Sequence, residues 1–211
     1  MNNARPRLYV DAQYTSPYAL SVFVALREKG VEFDLQPLDL SAGEQQAQGY
    51  AGLSLTQRVP TLEQEGFALS ESSAITEYLD ELYPQAPLYP QDARQRARAR
   101  QVQAWLRSDL QALRQERSTL VIFYGQKAAP LSAAGEAAAR KLIDGAQALL
   151  IGGRSSLFEQ WSIADVDLAL MLNRLILNGD PVPDGLLDYA RRQWQHPAVQ
   201  EWVALSRPAL T

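Results

Sequence analysis

RLYVDAQYTSPYALSVFVALREKGVEFDLQPLDL, residues 7–40, is the stretch that decides the fold. RLYVDA (7–12) has the apolar alternation of a strand, SPYALSVFVALREKG (16–30) the length and pattern of a helix, and EFDLQPLDL (32–40) that of a second strand. The helix has legible ends. Ser16 can cap it, Pro17 suits its first position, and Gly30 follows its last charged turn. This βαβ opening is followed by a stretch from Gly43 to Gly52 with no strong period. VPTLEQEGFALSES (59–72) then reads as two short apolar runs across a turn at Glu65-Gly66, and a helix is expected over Ser72–Tyr83.

YPQAPLYPQD (83–92) carries Pro84, Pro87 and Pro90, too closely spaced for a helix to pass through. Beyond it the pattern is helical throughout. We expect one helix of about 25 residues through Trp105 and Leu113, a second over 132–150, a third over Ser162–Leu177 and shorter ones toward the end. The expected architecture is therefore α/β followed by all-α: a four-stranded domain over 1–84, a linker over 85–92 and a helical domain over 93–211.

Composition narrows the chemistry. A formal net charge of -4 gives no basic surplus for a nucleic-acid partner. ARQRARAR (93–100) places its arginines on nearly opposite sides of a helix, as expected of solvated or subunit-contact surface. The chain has no cysteine, so any sulfur chemistry must come from a ligand. No apolar run approaches the roughly 18 residues of a membrane helix, and MNNARPRLYV lacks a signal-peptide core. No membrane partner and a cytoplasmic location are the expectations, with no metal.

Three places can carry chemistry, and each has a structural alternative. Ser16 stands where a strand turns into a helix, so its hydroxyl and the helix dipole favour an anion, but a Ser-Pro helix start can be only a cap. Arg58-Val59-Pro60-Thr61 (58–61) puts a proline before a short strand. A cis bond there would free the Val59 backbone for an extended peptide ligand, whereas a trans bond would make Pro60 an ordinary edge proline. Glu71-Ser72 opens the next helix, as a site for an amino-acid head group or as a serine cap with an acidic first turn. Tyr14, Tyr18, the four tryptophans and His196 read as site lining, core or turn residues before they read as catalytic ones.

In their order along the chain, the serine before VALREKG, then RVPTL, then SESSAITEYL resemble the glutathione-binding domain of serine-type cytosolic glutathione transferases of the theta and zeta kind. SIADVDLALM (162–171) resembles that superfamily's capping-box segment, and SPYALSVFVALREKG, LSESSAITEYL and ARARQVQAWLRSDL are most similar to bacterial YfcF-type members. The resemblance implies a thioredoxin-like first domain and a second domain forming the site for a hydrophobic electrophile or peroxide. It implies glutathione as co-substrate, a homodimer, and transferase with peroxidase activity. A zeta-like isomerase and a non-catalytic binder are the alternatives.

Residue by residue, the resemblance makes Ser16 the thiolate stabiliser, Val59 with Pro60 the backbone partner of the cysteinyl unit, and Glu71 with Ser72 the γ-glutamyl site. Gln45, Gln57 and Arg58 are candidates for the glycyl carboxylate, and Asp109 for the ligand amine. Pro17 directly follows Ser16, whereas many relatives carry the proline one residue later, which leaves Thr15 and Tyr14 open as alternative donors.

Overall fold

The computed structural model describes residues 5–210. The chain forms two compact units. Among the described residues, one comprises 5–88 with 198–210, the other Tyr89–Pro197.

In the first unit, β1 (Arg7–Asp11), α1 (Pro17–Glu28) and β2 (Asp34–Leu38) make the βαβ crossover, with β2 parallel to β1 from Arg7↔Asp34 to Asp11↔Leu38. Pro37 lies in β2, an edge strand, where its missing N–H costs no ladder bond on the open side. β3 (Thr61–Gln64) runs antiparallel to β1, and β4 (Phe67–Ser70) pairs with β3, giving the mixed order β2-β1-β3-β4. The hairpin turn at Glu65-Gly66 has φ of 53° and 83°, the double left-handed conformation that suits a two-residue connection. The Gly43–Gly52 stretch contains a 3-10 turn (Glu44–Gln46) and the one-turn α2 (Gln48–Ala51), both too short to write a period into the sequence.

α1 and α3 (Ser72–Leu82) pack together, and α1 buries Leu20, Val22, Phe23, Val24 and Leu26. Lys29, at the end of α1, has a fully buried side chain. Its ammonium donates to Asp80 Oδ1 at 2.7 Å, the Tyr83 carbonyl at 2.7 Å and the Ala86 carbonyl at 2.5 Å, while Asp80 Oδ1 also accepts from Leu88 N–H at 2.7 Å. One cation thus fixes the proline-rich segment to the first unit.

The second unit holds α4 (Ala93–Ser108), α5 (Gln111–Glu116), α6 (Thr119–Phe123), α7 (Ala133–Leu149), α8 (Ile163–Ile176) and α9 (Asp184–Trp194). The single long helix expected through Leu113 is broken. Asp109 leaves the helix with an extended backbone, its Oδ1 accepts from Leu110 N–H at 2.7 Å, and Leu110 turns left-handed at φ 59° to bury its side chain before α5 begins. α8 carries twelve buried residues and the expected capping box. Asp165 Oδ2 accepts from the Ser162 N–H at 2.9 Å and hydroxyl at 3.0 Å, and its Oδ1 accepts from Leu157 N–H at 2.7 Å and the Tyr189 hydroxyl at 2.8 Å. Burial raises the Asp165 pKa and these hydrogen bonds oppose the rise.

The tail departs from the expected grouping of 93–211. α10 (Pro197–Val203) brings Trp202 into the first unit's core, fully buried with its ring 5.3 Å from that of Phe23 and 5.9 Å from that of Tyr14. A buried indole covering α1 is a stronger tie than sequence adjacency to α9.

Candidate functional site

Strand register gathers the candidate residues at one end of the sheet. Tyr9↔Thr61 and Thr61↔Ser70 align the C-terminal end of β1 with the N-terminal end of β3 and the C-terminal end of β4. The Ser16 loop, the Val59–Pro60 loop and the Glu71–Ser72 turn leave from that edge. β2, parallel to β1, ends there too and leads toward Gln45. Ligands of α/β sheets sit outside the carboxyl ends of strands for this reason.

The Ser16 loop is pinned by Asp11, a buried carboxylate at the end of β1. Thr15 donates both its N–H and its hydroxyl proton to Asp11 Oδ2, at 2.7 and 2.8 Å, and Ser16 N–H donates to Oδ1 at 2.9 Å. Tyr14 N–H closes the turn on the Asp11 carbonyl at 2.9 Å, with Tyr14 itself at φ 50°. Ser16 caps α1: its Oγ accepts from Ala19 N–H at 3.2 Å. Capping uses a lone pair and leaves the hydroxyl proton, so a cap and an anion donor are the same geometry here. Thr15 differs, because its proton is already given to a carboxylate.

The helix start offers fewer backbone donors than its position suggested. Ser16 N–H is held by Asp11, Ala19 N–H by Ser16 and Pro17 has none, which leaves the Ser16 hydroxyl and the α1 dipole as candidates for holding an anion. Tyr14 turns its ring edge-on to Trp202, and its carbonyl accepts from an Arg207 guanidinium nitrogen at 3.3 Å.

The Val59–Pro60 peptide is cis. Val59 lies outside the strand ladder, and its N–H and carbonyl have no backbone partner among the described residues. The Arg58 carbonyl is held by the Tyr50 hydroxyl at 2.7 Å and the Thr61 hydroxyl at 3.2 Å. Burial raises the Tyr50 pKa, with the Thr61 and Ser54 hydroxyls acting in the opposite direction. Glu71 is exposed and takes φ 73°, ψ 110°, a strained conformation for a non-glycine residue, as α3 begins at the buried Ser72.

The remaining candidates separate. Gln45 is half-buried and its Oε1 has no hydrogen-bond partner among the described residues. Gln57, at φ 52°, and Arg58 are exposed. Asp109 is spoken for within the second unit, accepting from Trp105 Nε1 at 3.2 Å, from Lys141 and from Leu110 N–H, which lowers its pKa, chiefly through Lys141. His196 stacks on Trp161, 4.8 Å between ring centres, in the turn before α10. Asp11 and Tyr50, which hold the Ser16 loop and the Arg58 carbonyl in place, are residues that sequence reading missed. An aspartate ending a strand and a tyrosine in a patternless loop carry no local signal.

Residues 15–82 match the glutathione S-transferase N-terminal domain and residues 92–208 the glutathione S-transferase C-terminal domain. The chain belongs to the glutathione S-transferase family. A glutathione transferase homolog from Burkholderia, solved with bound glutathione, is 46% identical over 94% of this chain and 96% of its own, with a TM-score of 0.79. Among curated relatives, the Drosophila melanogaster protein named "Probable maleylacetoacetate isomerase 2" is 35% identical over 53% of this chain and 49% of its own length. The Caenorhabditis elegans "Probable maleylacetoacetate isomerase" is 29% identical over 87% of this chain and 86% of its own. This family member thus spans about half the length of several of the curated relatives it matches, and most of the length of the Burkholderia protein.

Proposed function

We propose that this glutathione S-transferase binds glutathione at the strand-end cluster of the first unit and uses the Ser16 hydroxyl to hold the sulfur as a thiolate. The observation that carries this reading is the Ser16 geometry: an oxygen committed as acceptor to Ala19 N–H, with a proton still to give. A free thiol of pKa about 8.5 needs roughly 2.7 kcal/mol of preferential anion stabilisation to ionise two units lower. One charge-assisted hydrogen bond at about 1.5–3 kcal/mol and a helix N-terminus at about 0.3–1 kcal/mol cover that range.

Val59 would pair its backbone with the cysteinyl unit, Glu71 and Ser72 would take the γ-glutamyl ammonium and carboxylate, and the donors of Gln45, Gln57 or Arg58 would take the glycyl carboxylate. The helical domain would supply the electrophile side, and the thiolate would attack carbon to form a thioether as the leaving group departs. Peroxide reduction by the same thiolate, a YfcF-like character, a cytoplasmic location and a homodimer belong to the same proposal. Among the described residues, no helix is long and apolar enough to cross a membrane.

A second reading is favoured by the curated names: addition of the thiolate to a conjugated double bond, rotation about the resulting single bond and expulsion of the thiolate, which regenerates glutathione. Ultraviolet difference absorbance of bound glutathione against pH tests the shared step. The wild type should show thiolate below the ordinary thiol range and Ser16→Ala should return it by about one to two units. Binding with no Ser16-dependent shift would overturn the assignment.

A further inference from the structure

Four hydroxyl groups lie buried together behind the two loops assigned above to the ligand: Tyr50, Ser54, Thr61 and Ser70. The Thr61 hydroxyl sits 2.8 Å from that of Tyr50 and 3.0 Å from those of both Ser54 and Ser70, and Ser54 is 2.9 Å from Ser70. At one end of this cluster, Tyr50 and Thr61 reach the Arg58 carbonyl, one residue before Val59. At its other end, Ser70 is the last residue of β4, directly before the strained Glu71 and the buried Ser72.

We infer that these hydroxyls form a clasp that fixes the Arg58–Pro60 loop and the Glu71–Ser72 turn at one spacing, so that the cysteinyl and γ-glutamyl parts of glutathione meet preset partners. The inference rests on the reading of those loops given above. β3 and β4 are already paired through their backbones from Thr61↔Ser70 to Gln64↔Phe67, so the side-chain cluster is not needed to hold the strands together. What it adds is the Arg58 carbonyl, which lies outside that ladder. A buried polar cluster is also a costly way to fill space unless its members are bonded, and apolar side chains would pack the same volume more simply.

Proton counting shows how the clasp stays closed. Four hydroxyl protons serve six contacts, so the protons can redistribute, but two donors reach the Arg58 carbonyl. If Thr61 turns its proton to a serine, Tyr50 still holds the carbonyl, and if Tyr50 turns to Thr61, Thr61 can hold it instead. The Tyr50 ring is itself braced against Tyr9 of β1, 5.3 Å between ring centres. These are positioning residues: they touch the loops and leave ligand contact to Val59, Glu71 and Ser72.

S-methylglutathione, which has no thiol to ionise, separates this role from that of Ser16. Titration calorimetry should show its Kd rising about three- to tenfold in Tyr50→Phe, Ser70→Ala and Thr61→Val, with Thr61→Ser restoring tight binding. The pKa of bound glutathione and kcat at saturating glutathione should stay near wild type. Amide exchange at Ser72 and Ser73 should quicken in Tyr50→Phe, a change made at the far end of the clasp. Tyr50→Phe keeps the ring and its packing, so the conclusion rests on that variant if a serine substitution fails to fold. Unchanged binding in folded Tyr50→Phe overturns the clasp, as does weakened binding with unchanged exchange at Ser72 and Ser73. Wild-type protein that binds neither ligand overturns the glutathione reading and the clasp with it. An effect of Ser16→Ala on S-methylglutathione affinity alone overturns only the thiolate role.

Discussion

At the residue scale, the Ser16 cap was legible because a Ser-Pro helix start is a local pattern, and the hydroxyl that accepts from Ala19 N–H keeps a proton for the proposed donor role. Asp11 was not legible, since its role depends on a chain reversal that brings residues 15 and 16 back to it. Its three acceptor contacts give a prediction. In Asp11→Asn, the amide nitrogen must face either the Ser16 N–H or the two Thr15 donors, so one side of the loop loses its partner. Ser16 should then sit less firmly over the ligand sulfur. We expect kcat/KM with a conjugation substrate to fall about tenfold and the thiolate pKa to rise, with a loss of stability near 1–3 kcal/mol. Unchanged kcat/KM alongside lower stability would show that Asp11 supports the fold and not the chemistry.

At the scale of elements, periodicity located α1, α3, α7 and α8 well, because each has an apolar face, and Ser16, Ser132 and Ser162 cap three of the four while α3 starts at Ser72 without a side-chain cap. It failed at Asp109-Leu110, where the apolar pattern continues across a break made by one side-chain hydrogen bond. It also could not foresee Arg117, which is almost fully buried and pairs through two nitrogens with Asp180 at 2.6 and 2.7 Å, tying the end of α5 to the segment after α8. Arg174 adds a bond to the Arg117 carbonyl at 2.6 Å. The Arg117 guanidinium lowers the Asp180 pKa and Asp180 raises that of Arg117. A carboxylate whose folded pKa lies below its unfolded one stabilises the fold above the unfolded value, near 3.9 for aspartate, and loses that contribution as pH falls through the folded one. Asp180→Asn should therefore cost about 3–5 kcal/mol at pH 7 by stranding a buried guanidinium, and progressively less as pH falls below about 3.9 toward the lowered folded value. Urea unfolding across pH 3–7 checks this, and a pH-independent difference would contradict the ion pair's part in it.

At the scale of the whole molecule, sequence-adjacent reasoning divided the chain once, at the prolines, whereas the first unit is completed by residues from Ala198 onward. Nothing in the tail's composition announces this, since a tryptophan in a short terminal helix reads equally well as cover for α9. What decides it is packing: Trp202 against Phe23 and Tyr14, with Arg207 bonding the carbonyls of Tyr14, Trp202, Val203 and Leu205. The tail therefore closes the α1 core and supports the loop that leads to Ser16. Residues 1–88 produced alone should lack a cooperative thermal transition, because they expose the aromatic face that Trp202 covers. In the full chain Trp202→Ala should cost about 3–5 kcal/mol. Arg207→Ala leaves that core filled and removes the bond to the Tyr14 carbonyl together with those that close the tail on itself. Its melting temperature should drop by a few degrees while the thiolate pKa of bound glutathione rises, since Tyr14 is two residues from Ser16. A thiolate pKa equal to wild type in Arg207→Ala, with the melting shift present, would confine the tail to a packing role.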